Sequence, residues 1–262
     1  MTAAPSVDTS LGLKLLPTVL SVIAGSADVI SFLGLGGLFV AHITGNLVIL
    51  AAHVVTGTRV GIAPMLSVPV FILVLGLLRL LVAGLAALGL ASLRPLLVLQ
   101  FVLLAGFLAL SISAGPRIDP DGLNGVLAGM LGVSAMAVQN ALVQLSVREA
   151  PSTAVMTTNI TRFTMDVGEV LLGRDPGEVA AARRRANHTW PAIVGFAAGA
   201  GLGAALFMIA GPPAAALPTG LALLALTCVL RRPRRHAEHP PLITCRGIKD
   251  CPSHRRTLPE QG

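Results

Sequence analysis

The chain has 262 residues, of which 54% are hydrophobic and only 12% are charged. Soluble domains carry about twice that charged share, and a soluble fold of this size needs more polar surface than these residues supply. The composition excludes an ordinary soluble enzyme, a disulfide scaffold and a mostly disordered chain. It indicates an integral membrane protein whose main partner is the lipid bilayer.

Six long apolar stretches each approach the length of about 20 residues that crosses a bilayer as a helix. Glycine and proline turn signals separate them. They cover roughly residues 13–36, 64–90, 95–113, 122–146, 190–210 and 213–230. We therefore predict an all-α, polytopic transmembrane helix bundle with six long spans.

Two shorter segments, about 38–55 and 157–172, are too polar to face lipid. The first contains His42, Thr44, Asn46 and His53, and the second contains Asn159, Arg162, Asp166 and Glu169. As buried or re-entrant half-helices they would leave six spans, whereas as complete crossings they would make eight. The second segment also fits an amphipathic helix at the cytoplasmic surface, because its basic and acidic residues share one face.

The net charge of +7 comes mostly from the segment 231–262 that follows the last span. Basic residues next to a span are typical of a cytoplasmic end, so we predict a disordered cytoplasmic tail and a cytoplasmic N-terminus over residues 1–12. The tail has no aromatic residues for base stacking, which argues against nucleic-acid binding. Its cysteines and histidines match no standard zinc spacing, so no metal site is predicted.

The two short segments occupy equivalent places in two halves, 13–113 and 122–230. Asp28 precedes the triplet Thr44-Gly45-Asn46, and Asn140 precedes the triplet Thr157-Thr158-Asn159 at a similar distance. Short polar segments at matching positions of two pseudo-symmetric halves are typical of a transporter's binding site. Re-entrant segments would make the halves inverted repeats, and crossing segments would make them parallel repeats.

The motif Ala24-Gly25-Ser26-Ala27-Asp28, followed by Gly36-Gly37 and His42-Ile43-Thr44-Gly45-Asn46, resembles the opening of the bacterial YoaK family. A second signature, Gln139-Asn140 with Thr157-Thr158-Asn159, also resembles that family, although Thr158 stands where glycine is more typical. The resemblance covers about residues 12–230. It implies a small multi-pass protein of the bacterial inner membrane, in a domain family of unknown function.

Asp28 is the main candidate for a functional side chain. It shares one helix face with Thr18, Ser21 and Gly25. The side chains of this face are small or polar, so the face either lines water or packs against protein. A carboxyl group buried in a membrane is functional by default and can couple transport to protons. The alternative is a structural ion pair with Arg79, which lies within an apolar stretch.

The two triplets supply hydroxyl and amide groups that bind small polar solutes or ions, although the same groups also cap helices. His42 is a candidate proton carrier or an ordinary interfacial residue. The predicted substrate-binding residues are Asp28, His42, Thr44, Gly45, Asn46, Gln139, Asn140, Thr157, Thr158 and Asn159. They favour a small secondary transporter or permease that uses Asp28 to couple transport to protons. The alternative is a non-transporting regulatory or assembly protein whose buried polar groups are structural.

No catalytic motif, phosphate-binding loop or dinucleotide fingerprint is present in the sequence, so we expect neither an enzyme nor a bound cofactor. Gly195, Gly199 and Gly203 form a stripe of small residues on the fifth long span. Such a stripe brings helices close together, either within the chain or between protomers. It therefore leaves open a homo-oligomer through these glycines.

Overall fold

A computed structural model describes residues 8–115, 118–146 and 156–231. The predicted basic tail beyond residue 231, with its cysteines and histidines, and residues 1–7 lie outside these ranges. Within them the chain forms eight α-helices and one short 3-10 helix, Pro212–Ala215. The α-helices are α1 Asp8–Gly34, α2 Ile43–Thr56, α3 Ile62–Ala87, α4 Leu93–Ser113, α5 Leu123–Ser146, α6 Met156–Leu172, α7 Pro176–Ala210 and α8 Ala216–Leu230.

The prediction of six long spans is confirmed: α1, α3, α4, α5, α7 and α8 are long and apolar enough to cross a membrane. The two short polar segments form the shorter helices α2 and α6. Only 6% of the apolar window of α3 is buried inside the bundle. Because a soluble helix this apolar would be covered by protein, the exposed surface of α3 indicates contact with lipid.

Helix α7 starts earlier than the hydropathy pattern predicts, at Pro176 rather than near residue 190. The Asp175 side chain accepts a hydrogen bond of 2.7 Å from the Gly177 amide, and proline occupies the first helical turn. Both are ordinary helix-start signals. Arginines within this first part lower its hydropathy without interrupting the helix, which explains the difference.

Helices α1 and α7 run parallel and in close contact. A Cβ atom added to Gly195, Gly199 or Gly203 of α7 would meet Thr18, Val22 or Ser26 of α1, respectively. All three glycines are buried. The glycine stripe is therefore a packing surface within the chain, and it is not available to a second copy.

The segment that contains α2 enters the bundle and returns to the same end. A Cβ at Gly36, just after α1, would lie 3.0 Å from Pro120, and the Ile62 amide at the start of α3 donates to Asp121 Oδ1 at 2.9 Å. The chain thus meets the α4–α5 loop both before and after α2. We call this the Gly34 end of the bundle, and the opposite end, where the apolar part of α1 begins, the Leu15 end.

The two halves form an inverted repeat of three long helices each. The contact between α1 and α7 is repeated between α5 and α3, that between α4 and α5 between α8 and α1, and that between α2 and α3 between α6 and α7. Since α1 runs towards the Gly34 end and α5 runs away from it, equivalent helices point in opposite directions. This is the six-span alternative of the sequence analysis.

Candidate functional site at the tip of the re-entrant segment

The chain reverses direction directly after α1. Gly36 and Gly37 have φ of 64° and 86°, values that residues with a side chain rarely adopt. The following residues lead back into the bundle, where Leu38 and Val40 pack against two glycines of α5, Gly129 and Gly132. Both apolar side chains are fully buried. The tip of the re-entrant segment, Val40–His42, therefore lies well below the Gly34 end.

Asp28 holds this tip in place. Its Oδ1 atom accepts hydrogen bonds from the backbone amides of Val40 at 2.9 Å, Ala41 at 2.8 Å and His42 at 3.3 Å. The His42 amide belongs to the N-cap of α2, and Val40 and Ala41 are the two residues before it, so Asp28 fixes the turn that leads into the helix. A buried carboxylate from α1 thus lies beside the N-terminus of α2, where the helix dipole favours a negative charge.

The second carboxylate oxygen of Asp28 pairs with His42. His42 Nδ1 lies 2.7 Å from Asp28 Oδ2, and the side chains of His42 and Asp28 are 36% and 6% exposed, respectively. The His42 ring also packs edge-on against Phe196 of α7, with 5.3 Å between ring centroids. The imidazole is therefore the accessible member of the pair, and the carboxylate is the buried one.

Asn46 closes the loop that leads to the tip. Its side-chain oxygen accepts a hydrogen bond from the Phe39 amide at 2.9 Å, and its nitrogen donates to the Phe39 carbonyl at 2.7 Å and to Ser67 of α3 at 3.0 Å. Gly45 is required beside it, because a Cβ there would come within 2.9 Å of the Phe39 ring. Thr44 is exposed on the first turn of α2.

The alternative of an ion pair between Asp28 and Arg79 is not seen among the described residues, where Asp28 pairs with His42. Both carboxylate oxygens of Asp28 are engaged by the tip, and Arg79 is exposed on α3. The re-entrant turn places backbone amides and the His42 imidazole against Asp28. These groups are the partners of the carboxylate in place of an arginine. Phe196 and Ser67, which complete the surroundings of the tip, have no distinguishing signal in the sequence.

The ten predicted binding residues do not surround one central site. Gln139 is buried in α5, donating to the Leu20 carbonyl at 2.9 Å and accepting from Gln100 at 2.7 Å. Asn140 donates to the Met136 carbonyl of its own helix. Leu20 precedes Asp28 by two helical turns of α1, so the Gln139 level lies about 12 Å from Asp28 along the axis.

The second triplet lies on α6, which packs against α7. Asn159 is buried, whereas Thr157 and Thr158 are exposed. Further along α6, Asp166 Oδ1 accepts a hydrogen bond of 2.8 Å from Arg185 Nε of α7, and Arg185 Nη2 lies 2.8 Å from the same oxygen. In the part of the chain that the structure describes, this ion pair fastens α6 to α7, so Asp166 is neutralised between helices rather than by Arg162 on its own helix.

No group of three or more His, Cys, Asp or Glu side chains within the described ranges is placed to hold a metal ion. The arrangement at the tip is instead suited to hydrogen bonding and to proton exchange at an imidazole held by a carboxylate.

The fold and the tip together define a class: a multi-pass α-helical membrane protein built from an inverted repeat, with a re-entrant segment whose tip is bound by a buried carboxylate. Residues 16–229 match the family described as proteins of unknown function, DUF1275. The chain belongs to this family, which confirms the resemblance noted in the sequence. Neither the curated proteins nor the solved structures contain a match.

Proposed function

We propose that this protein is a small secondary transporter or permease for a small polar solute or ion, with proton exchange at His42 coupled to transport. The observation that carries the proposal is the re-entrant tip, held inside an inverted repeat by the Asp28–His42 pair. Broken helices that end inside the membrane within inverted repeats are a recurrent architecture of secondary transporters.

The Asp28–His42 pair can couple the binding of a proton to the position of the tip. A histidine gains or loses a proton between about pH 5 and 8, which changes the net charge of a carboxylate–imidazole pair from −1 to 0. The same carboxylate accepts the amides that fix the tip. A change of charge at His42 therefore changes the strength with which Asp28 holds α2.

We further propose that the Leu15 end faces the cytoplasm of a bacterial inner membrane. Arg174, Arg183, Arg184 and Arg185 lie at the start of α7, and Arg231 follows α8 at the same end of the bundle. An excess of basic residues beside the spans favours the cytoplasmic side. The Gly34 end, with Asp119 and Asp121 in its loop, then faces outwards.

Cysteine labelling tests this topology. In a chain whose native cysteines are replaced by serine, we expect Arg59→Cys to react with an impermeant maleimide in intact spheroplasts. Arg184→Cys should react only after the membrane is permeabilised, because it lies beyond the Leu15 end. Protection of position 59 would contradict the re-entrant arrangement, and labelling of position 184 from outside would reverse the orientation.

Proton flux into liposomes tests the function. The purified full chain, reconstituted around a pH-sensitive dye, should move protons when a transported solute from a metabolite panel is added. We expect His42→Gln to lower this flux at least tenfold, because the amide cannot exchange a proton. His188→Gln, which removes an exposed histidine at the other end, should leave it unchanged. Flux no greater than in protein-free liposomes across the panel would overturn the transport proposal.

The second candidate is a non-transporting membrane protein of regulatory or assembly role. It is favoured by one observation: Asp28 and Asn46 make their hydrogen bonds within the chain, as purely structural groups would. On this hypothesis His42→Gln would alter stability, and reconstituted protein would move neither solute nor protons.

A further inference from the structure

A cleft of about 170 Å³ lies at the Gly34 end, beside the re-entrant helix. Three ionisable side chains line it: His53 from the last turn of α2, Arg59 from the α2–α3 loop, and Asp121 from the α4–α5 loop. The cleft is thus built from the chain on both sides of the tip, before and after it, and from the α4–α5 loop that both parts contact.

Arg59 and Asp121 line the same cleft without pairing with each other. Among the described residues, neither takes part in a salt bridge within 4.0 Å. Both side chains are exposed, and water solvates exposed charges well enough that they need not pair. The contacts of each wall show which charged atoms remain available to a ligand.

Asp121 is fixed by its neighbours on the protein side. Its Oδ1 atom accepts the Ile62 amide at 2.9 Å, and its own amide donates to Asp119 Oδ1 at 3.1 Å. No hydrogen bond within the described chain uses the other carboxylate oxygen, Oδ2, which leaves it available to a ligand.

The loop that carries Arg59 is fixed from α2. His53 Nδ1 lies 2.6 Å from the Thr58 hydroxyl, and the Thr56 and Thr58 hydroxyls are 2.8 Å apart. Gly57, with φ of 68°, ends the helix in the left-handed conformation. These contacts hold the loop in place and leave the exposed Arg59 guanidinium unused by the fold.

The remaining walls are apolar, formed chiefly by Leu35, Ile49, Pro64 and Pro120. A single anion in this cleft would be attracted by Arg59 and repelled by Asp121, and a single cation the reverse. A small molecule with both charges satisfies both walls, and a short aliphatic part fits the apolar ones. The volume is that of a small amino acid.

We propose that this cleft binds a small zwitterion of the amino-acid or betaine class. Its carboxylate lies on the Arg59 guanidinium, and its ammonium group lies on the free oxygen of Asp121. This inference deepens the proposed transport function by naming the class of solute. The cleft lies at one end of α2 and the Asp28–His42 pair at the other, so one short helix connects solute binding with proton exchange.

Binding to the purified full chain in detergent, without any gradient, tests the cleft. The probes are glycine, alanine, valine, leucine and glycine betaine, together with the amides and the deaminated acids of the amino acids. We expect at least one zwitterion to raise the melting temperature and its singly charged analogues to bind at least tenfold more weakly. No binding by any zwitterion, or equal binding of an analogue, would overturn the proposal.

Two variants and two matched controls localise the site. Arg59→Gln and Asp121→Asn should each weaken zwitterion binding at least tenfold. Arg59→Gln removes none of the hydrogen bonds within the described residues, and Asp121→Asn keeps an oxygen for the Ile62 amide. Arg79→Gln and Glu178→Gln, which remove the same charges from exposed positions elsewhere, should bind like the wild type. Wild-type affinity in Arg59→Gln would overturn the assignment even if Asp121→Asn misfolds.

The outcome separates this inference from the proposed function. Binding that depends on Arg59, without solute or proton movement in liposomes, would support the cleft and refute transport. Uptake of a solute that Arg59→Gln does not change would support transport and refute the cleft.

Discussion

Replacing Asp28 with alanine should lower the free energy of unfolding by about 2–6 kcal/mol. The two short bonds from Val40 and Ala41 would lose their acceptor, and each buried N–H left without a partner costs about 1–3 kcal/mol. Asp28→Asn should have a smaller effect, because its amide oxygen still accepts from the tip. Unfolding in mixed micelles by titration with a denaturing detergent measures both. A wild-type midpoint for Asp28→Ala would contradict the role of Asp28 in holding the tip.

A pair of double-mutant cycles identifies the partner of Asp28. Asp28→Asn combined with His42→Gln should show a coupling energy of about 0.5–3 kcal/mol, since the two side chains are in contact. Asp28→Asn combined with Arg79→Met should be additive within about 0.5 kcal/mol. Coupling to Arg79 instead of His42 would mean that the sequence-based pairing was correct and that the tip is placed differently.

Hydropathy is sufficient to predict the six long helices, because each must present apolar side chains over the thickness of a bilayer. It also singles out Asp28, since a carboxylate within such a stretch is unfavourable without a partner. The partner itself is not predictable from hydropathy. His42 is brought to Asp28 by the reversal at Gly36 and Gly37, which is a tertiary feature with no helical periodicity.

The candidate site also has features that the sequence predicts and features that it does not. The buried Asn46 and Asn159 occupy the same position in the two triplets, so the sequence is sufficient to predict the internal repeat. The sequence does not show that the two triplets lie apart, because this follows from the inverted arrangement, which turns equivalent segments towards opposite ends of the bundle. The cleft between Arg59 and Asp121 joins two loops far apart in the chain, and no local pattern connects them.

The contact between α1 and α7 predicts opposite effects for two glycines of the same helix. Gly199 is buried, and a Cβ there would overlap the Val22 carbonyl and lie 2.8 Å from the Val22 Cα. Gly201 is exposed, and a Cβ there would meet nothing within 4 Å. Alanine is favoured over glycine inside a helix by about 1 kcal/mol, so helix propensity alone would stabilise both variants equally.

We expect Gly201→Ala to be neutral or stabilising by up to about 1 kcal/mol, and Gly199→Ala to be destabilising by about 1–3 kcal/mol. The overlap at Gly199 involves backbone atoms of Val22, which cannot rotate away as a side chain can. The two helices must therefore move apart around this contact. The melting temperatures of the two variants in one detergent give the sign of each effect. A stabilised Gly199→Ala would show that α1 and α7 do not pack through this stripe. It would also contradict the placement of Phe196 beside His42, because the contact between α1 and α7 brings these two rings together.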